Sequence, residues 1–98
     1  MSLLSVYTPA DIQSELADSI RRMRKQRKLS RKALAEISTV PAPTLKKFET
    51  TGQISLRQFL LLWQALSDLK AIHDLAKSAG IDDQGVGSPR TINDVLKG

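Results

Sequence analysis

Basic side chains are concentrated in one short stretch of the chain. Eight of the twelve residues from 21 to 32 are lysine or arginine, and no acidic residue lies among them. Such a stretch can neutralise phosphate groups and release their counterions, which makes nucleic acid the commonest partner. A solvated helix face, an anionic membrane or an acidic protein are the alternatives. The cluster consists of Arg21, Arg22, Arg24, Lys25, Arg27, Lys28, Arg31 and Lys32.

The net charge is also distributed unevenly along the chain. Residues 1–60 carry eleven Lys/Arg and five Asp/Glu, a net charge of +6, whereas residues 61–98 carry four and five, a net charge of −1. The whole positive excess therefore lies in the first part of the chain. We expect double-stranded DNA to be its partner.

Residue types that catalyse reactions are present but do not form a recognisable site. The chain has no cysteine, which excludes disulfides, thiolate metal sites and cysteine nucleophiles. His73 is the single histidine, and the sequence places no set of metal ligands near it. Ser67, His73 and Asp74 have the residue types of a hydrolase triad, but neither its spacing nor its context. We therefore expect no enzymatic activity, no metal and no cofactor.

Length and composition indicate one small globular domain. No run approaches the roughly 20 apolar residues that cross a bilayer. Residues 1–7 lack the basic side chain that precedes the apolar part of a secretory signal. We expect a cytoplasmic, nucleoid-associated protein without a membrane partner.

Capping residues and apolar spacing predict an all-α fold. Thr8, Ser30 and Ser55 are each placed to cap the start of a helix, and Gly52 is placed to end one. The sequence after Ala79 is rich in glycine and aspartate, which is typical of a flexible linker. We therefore expect a domain over residues 1–79, followed by a flexible linker and a short tail over residues 80–98. The five predicted helices cover residues 8–28, 31–38, about 41–50, 56–66 and 68–79, and a sixth short one is possible over residues 88–96.

Apolar residues at helical spacing predict which side of each helix faces the core. In the first helix they are Ile12, Leu16, Ile20 and Met23. In the later helices they are Leu34, Ala35, Ile37, Leu45, Phe48, Leu69, Ile72, Leu75 and Ala76.

Residues 31–50 have the pattern of two short helices joined by a tight turn. Val40 in the turn is expected to pack inward, and Leu45 and Phe48 to hold the back of the second helix. An exposed second helix that is held rigidly by its back face is what a reader of the DNA major groove requires. The residues left pointing outward are Ala42, Thr44, Lys46 and Lys47.

This stretch resembles the helix-turn-helix of the Xre family, which includes the lambda repressor and Cro proteins. The resemblance covers about residues 10–66, and the residues that carry it are 29–31, 34–36, 40, 43–45, 48–49 and 54–56. It implies a five-helix, lambda-repressor-like fold and a sequence-specific transcriptional repressor that binds a palindromic operator as a dimer. It also implies base contacts by Ala42, Pro43, Thr44, Lys46 and Lys47, and contacts to the DNA backbone by Arg27, Lys28, Ser30, Arg31 and Lys32.

The sequence departs from the family at two places. Family members usually have glycine at the turn position of Thr39, so Thr39 is either strained at positive φ or the turn is rearranged. Ala42 and Pro43 replace polar base-reading residues, which reduces readout through hydrogen bonds. Lysines that bond guanine, and methyl groups that touch thymine, remain available.

Residues 40–66 are most similar to HipB-type antitoxins, which repress their own operon and bind a kinase-like toxin of the HipA type. The resemblance implies an antitoxin with such a toxin as partner. A protein-interaction module that binds DNA only weakly is the alternative.

Residues 59–63 are five consecutive apolar residues, which cover the whole circumference of a helix. One side of the helix can face the core of the protomer, and the other side needs a partner. We therefore expect a homodimer built through the fourth and fifth helices. The predicted interface consists of Phe59, Leu62, Trp63, Leu66, Leu69 and Ile72. Ile92, Val95 and Leu96 form a further short apolar stripe in the tail. The tail is either a frayed end, a brace on its own domain or a segment that docks on a partner protein.

Overall fold

A computed structural model describes residues 7–84, and these residues form five α-helices. The all-α prediction is confirmed for this part of the chain. The helices are α1 (Pro9–Gln26), α2 (Arg31–Ser38), α3 (Ala42–Thr51), α4 (Leu56–Leu66) and α5 (Lys70–Gln84).

The chain divides into two compact units, Met1–Asp68 and Leu69–Gly98. The first unit contains α1 to α4, in which α1 and α2 each pack against both α3 and α4. The second unit contains α5. The basic cluster and the predicted DNA-contacting residues all lie in the first unit.

The predicted helix caps are confirmed. Thr8 and Asp11 form a capping box, in which the Asp11 amide donates to Thr8 Oγ1 (3.1 Å) and the Thr8 amide donates to Asp11 Oδ2 (3.0 Å). Ser30 Oγ accepts the amide of Ala33 at 3.0 Å, and Ser55 Oγ accepts that of Gln58 at 3.1 Å. These bonds satisfy donors that have no partner within their helix, and they fix where each helix begins.

The core of the first unit is built from every helix in it. Ile20 of α1, Leu34 of α2 and Leu45 of α3 are fully buried, as predicted. The rings of Phe48 and Phe59 meet edge to face, with centroids 6.0 Å apart, and join α3 to α4. The other buried apolar residues are Ala17, Val40, Leu62 and Leu66.

In the first unit, two residues predicted to face the core are exposed instead. Ile37 is 56% exposed, because the buried edge of α2 runs through Leu34 and Ser38, and Ile37 lies about 100° around the helix from Ser38. Ser38 takes the inward position, and its Oγ accepts the amide of Val40 at 3.1 Å. Ile12, in the first turns of α1, is 40% exposed.

The predicted bounds of α5 are wrong at both ends. The helix begins at Lys70 and continues to Gln84, through Gly80. A single glycine lowers helix stability by about 1 kcal/mol relative to alanine, which weakens a helix without necessarily ending it. Leu75 and Ala76 are exposed, although they were predicted to lie on the inward side. The short helix predicted over residues 88–96 lies outside the described residues.

Across residues 7–84, no helix combines the length and the apolar character that crossing a bilayer requires.

Candidate nucleic-acid interface

The third helix is held by one face and exposed on the other. Leu45, Phe48 and Glu49 are buried, which fixes α3 against the rest of the first unit. On the outward side, Lys46 and Lys47 are exposed, as the sequence predicted. The remaining predicted base-contacting residues lie in the first turn of α3, where Pro43 is exposed and Ala42 and Thr44 are half-buried.

The two lysines of α3 have no acidic partner within residues 7–84, since neither belongs to an ion pair there. The hydroxyl of Thr50 donates to the backbone oxygens of Lys46 (2.9 Å) and Lys47 (3.2 Å), and that of Thr51 donates to Lys47 O at 2.7 Å. These bonds engage only the backbone of the lysines. Their ammonium groups therefore remain available to an acceptor on a ligand, such as guanine O6 or N7.

The turn between α2 and α3 contains the strained residue that the sequence indicated. Thr39 has φ 67° and ψ 9°, in the left-handed region that β-branched residues rarely adopt. Its amide donates to Ala35 O at 2.8 Å and closes the end of α2. Of the two alternatives for this turn, the structure has a strained Thr39.

A buried ion pair connects α1 to α3, the helix that carries the exposed lysines. Arg24 Nε donates to Glu49 Oε2 (2.8 Å), and Arg24 Nη2 donates to Glu49 Oε1 (2.9 Å). Arg24 Nη1 also donates to Leu29 O at 2.9 Å. This bidentate geometry uses the rigid fork of the guanidinium and fixes the rotation of α3 relative to α1.

Arg31 shares the same carboxylate. Its Nε donates to Glu49 Oε1 at 3.0 Å, while its side chain remains 38% exposed. The described residues provide no partner for its two terminal nitrogens. Arg31 is therefore held at the start of α2 by Nε, and its two terminal nitrogens keep four N–H donors for another acceptor. The sequence predicted a phosphate contact for Arg31, but it gave no indication of this restraint.

The pKa of Glu49 is below its ordinary value. Burial raises the pKa of this carboxyl, but the hydrogen bonds and positive charges of Arg24 and Arg31 outweigh that effect and lower it. Glu49 is consequently ionised at neutral pH, and the three side chains form a network with one net positive charge.

The structure removes Arg24 from the exposed basic cluster. The sequence grouped Arg24 with residues that contact phosphate or face solvent, but its side chain is buried and paired with Glu49. The signal that could have identified the pair is Glu49 itself. Glu49 follows Leu45 by four residues, so it lies on the buried side of α3 and needs a cationic partner there.

The other residues predicted to contact the DNA backbone lie around the start of α2. Arg27, Lys28 and Lys32 are exposed, and none belongs to an ion pair within residues 7–84. Ser30 caps α2 through an accepted hydrogen bond, so its hydroxyl hydrogen can still be donated. The amides of the first turn add donors and a partial positive charge. Lys28 has φ 56°, a second left-handed residue that the sequence did not indicate.

The predicted dimer interface is divided between buried and accessible residues. Phe59, Leu62 and Leu66 are buried within the protomer itself. Trp63 is half-buried and donates its Nε1 hydrogen to Asp68 O at 2.9 Å. Leu69 and Ile72 are half-buried in the second unit.

The three residues that have the types of a hydrolase triad are exposed. His73 and Ser67 are exposed, and Asp74 pairs with Lys70 at 2.7 Å. In the part of the chain that the structure describes, no group of three or more His, Cys, Asp or Glu residues is placed to hold a metal ion. Searches of protein-family models, of curated proteins and of solved structures find no match to this chain.

Proposed function

We propose that this chain is a sequence-specific DNA-binding repressor with a lambda-repressor-like helix-turn-helix, in which α3 enters the major groove. The observation that carries the proposal is the contrast between the two faces of α3. Its back is fixed by Leu45, Phe48 and the pair formed by Glu49, whereas Lys46 and Lys47 project outward without acidic partners in the described residues. A rigid helix with two free cations is suited to bond guanine edges.

The surface around the start of α2 supports this docking mode. Arg31 is oriented by Glu49, Ser30 caps the helix, and Lys32 is exposed beside them. Backbone contacts of this kind set the position and register of a protein on DNA. If α2 is held on phosphate in this way, the adjoining α3 would meet base edges.

We further propose that the repressor is a homodimer on a palindromic operator. Leu60, Leu61 and Trp63 remain half-buried on α4, in contrast to the fully buried Leu62 between them. A second copy can cover this apolar side, and two-fold pairing would place two reading helices roughly 34 Å apart. Sedimentation at micromolar concentration tests this: a dimer is expected, the Leu61→Glu variant should dissociate, and a monomeric parent chain would contradict the proposal.

An antitoxin role is a further proposal, which rests only on the resemblance of residues 40–66 to HipB-type proteins. We propose a HipA-type kinase toxin as the protein partner. Such a kinase, encoded beside the gene of this chain, should arrest growth when it is expressed alone. Coexpression of this chain should restore growth, and the two proteins should copurify as a complex. Growth arrest that the chain does not relieve would remove the antitoxin role and leave the DNA-binding proposal intact.

The test of DNA binding is selection from a pool of duplexes with a randomised centre, followed by titration of the selected duplex by fluorescence anisotropy. We expect one enriched palindromic sequence. Lys46→Ala combined with Lys47→Ala should remove the preference for it over a scrambled duplex. Lys77→Ala, an exposed lysine of α5, is the matched control and should retain that preference.

A protein-interaction module is the second candidate, and the first turn of α3 favours it. Ala42 and Pro43 provide no side-chain donor or acceptor to a base edge, and Ile37 is exposed nearby in the chain, at the end of α2. This candidate predicts no enriched sequence in the selection. It also predicts weak DNA binding that Lys46→Ala and Lys47→Ala reduce equally for all duplexes.

A further inference from the structure

Three basic side chains of α1 have no part in the interface described so far. Arg21, Arg22 and Lys25 are exposed, and none of them belongs to an ion pair within residues 7–84. No acidic residue occurs between Asp18 and Glu36 in the sequence. Arg21 and Lys25 are four residues apart on the helix, and like charges at this spacing weaken a helix. An anion bound by both side chains would offset that repulsion.

The buried Arg24 shows how these side chains are placed around α1. Successive residues of a helix are about 100° apart, so Ile20 and Met23 lie on one side of Arg24. On that side Ile20 is fully buried and Met23 is half-buried. Arg21 and Lys25 lie about 60° and 100° from Arg24 on its other side, which is exposed. Arg21 and Lys25 therefore form a basic strip, the α1 strip, along one edge of the helix.

The α1 strip borders the surface around the start of α2. Arg24, beside the strip, donates through Nη1 to Leu29 O at 2.9 Å and through Nη2 to Glu49 Oε1 at 2.9 Å. The same carboxylate oxygen accepts the hydrogen of Arg31 Nε at 3.0 Å. Two arginines that share one oxygen atom are close neighbours. The exposed edge of α1 beside Arg24 therefore adjoins the surface that carries the partly exposed Arg31.

The α1 strip lies behind α3 with respect to the proposed reading face. Glu49 faces α1, because it pairs with Arg24, and Lys47 lies about 160° around α3 from Glu49. On a duplex bound by α3, cations of α1 therefore meet the phosphate backbone and not the base edges beside Lys47. The rise from Arg21 to Lys25 is about 6 Å, and the phosphates of one strand repeat about every 3.4 Å along the duplex axis. The strip can contact phosphates one or two positions apart.

We propose that Arg21 and Lys25 form a second phosphate-binding surface, which extends the contact of each protomer with the DNA backbone from α2 onto α1. The inference rests on the proposed DNA binding and adds two backbone contacts to it. Contacts of this kind add affinity but carry no sequence information. The α1 strip therefore strengthens binding to every duplex and leaves the sequence preference to α3.

The adjacent Arg22 takes no part in this surface. It lies about 160° around α1 from Arg24, so it projects from the side of the helix opposite to the contacts with α2 and α3. Its Nη2 donates to Ser19 Oγ at 3.3 Å, a bond within α1 itself. Arg21 and Arg22 are therefore exposed residues of one type that differ in the direction they face.

Salt titrations of DNA affinity test the proposal, on the selected duplex and on a scrambled duplex of the same length. Arg21→Ala combined with Lys25→Ala should reduce the slope of log affinity against log salt by about 1.8 per protomer on both duplexes, because each phosphate contact contributes about 0.9. Arg21→Ala alone should reduce the slope by about 0.9, and Arg22→Ala, the matched control, should leave it unchanged. Arg21→Lys should keep the parent slope, since lysine binds phosphate as a point charge. All of these positions are exposed and alanine favours helix, so the variants are expected to fold.

Two results on DNA would overturn the proposal, namely an unchanged slope in the double variant, or equal loss in Arg21→Ala and Arg22→Ala, which indicates an effect of net charge alone. Failure of the proposed repressor function is distinguishable: the parent chain would bind both duplexes equally, while the double variant would still reduce the slope on each. A parent chain that binds neither duplex would overturn both proposals. An anionic membrane is the other ligand that suits a basic strip. If the double variant lost binding to vesicles of phosphatidylcholine and phosphatidylserine but kept the parent slope on DNA, the ligand of the strip would be a lipid surface.

Discussion

Arg24 and Glu49 form a bidentate ion pair, with Nε to Oε2 at 2.8 Å and Nη2 to Oε1 at 2.9 Å, and this pair joins α1 to α3. Both side chains are buried. A pair of this kind costs desolvation energy, so its net contribution to stability is small, but its loss on one side leaves an uncompensated charge. It defines a specific rotation of α3, and therefore which residues of that helix face outward.

The first prediction is that removing one partner harms stability more than removing both. Glu49→Ala should lower the free energy of unfolding by about 3–5 kcal/mol, because Arg24 then stays buried without its carboxylate. Arg24→Met combined with Glu49→Leu should be closer to the parent chain than Glu49→Ala. Urea denaturation measures both. Arg24→Met alone and Glu49→Leu alone are the reference variants. A double variant that loses as much stability as these two together would show that the two residues do not act as a pair.

The second prediction concerns pH and follows from the lowered pKa of Glu49. Since the folded pKa lies below the unfolded one, the ionised carboxylate stabilises the fold above the unfolded pKa, about 4.3. That contribution is lost as pH falls through the lower, folded pKa. The difference in free energy of unfolding between the parent chain and Glu49→Gln should therefore be constant near neutral pH and shrink in acid. A difference that does not change with pH would refute the assignment.

The third prediction is that Thr39→Gly keeps or raises stability. Thr39 is exposed and has φ 67°, a conformation that costs a non-glycine residue roughly 1–2 kcal/mol. Glycine avoids this cost but adds about 0.4–1 kcal/mol of unfolded-chain entropy, so we expect the free energy of unfolding to rise by between 0 and about 1.6 kcal/mol. Ser67→Gly is the control, because Ser67 is exposed at φ −154° and gains nothing from glycine. The control should be destabilised, and equal destabilisation of both variants would argue against strain at Thr39.

Local features of the fold could be predicted because they depend on neighbouring residues. The caps at Thr8, Ser30 and Ser55 each require one side chain and an amide three residues later, and all three are present. The positive φ of Thr39 was one of the two expected outcomes for the turn. These features need no knowledge of what packs against the helix.

Features that depend on distant residues could not be predicted in the same way. Arg24 and Glu49 are 25 residues apart, and nothing in the basic cluster distinguishes Arg24 from the arginines beside it. Ile37 was expected to be buried by its residue type, but the position of α2 against α3 and α4 assigns the inward place to Ser38. Packing between helices, and not helix formation, decided both outcomes.

The fourth prediction rests on the proposed DNA binding and separates the roles proposed there for Arg31 and Lys47. Arg31→Ala should weaken binding to all duplexes by a similar factor and reduce the slope of log affinity against log salt by about 0.9 per protomer, as loss of one phosphate contact does. Lys47→Ala should instead cost about 1–3 kcal/mol at one operator position and little elsewhere. Anisotropy titrations across salt concentrations measure both. If Arg31→Ala changed sequence preference and left the salt slope intact, the assignment of Arg31 to the DNA backbone would be wrong.

The last prediction concerns Gly52, which ends α3 at φ 80° and lies against α1. A Cβ atom placed there would approach Gln13 Cβ at 3.2 Å and Gln13 C at 3.3 Å, closer than ordinary contact distances. Gly52→Ala should therefore destabilise the chain in two ways. Alanine is strained in the left-handed conformation by roughly 1–2 kcal/mol, and its Cβ atom makes a tight contact with the backbone of α1.

Gly52→Asn separates these two causes, because asparagine tolerates the left-handed conformation but still carries a Cβ atom. We expect both variants to be less stable than the parent chain in urea denaturation, with alanine the worse of the two. The remaining loss in Gly52→Asn measures the close approach of α3 to α1. Full recovery in Gly52→Asn would show that α1 moves aside readily, and that the conformation of Gly52 alone requires glycine at this position.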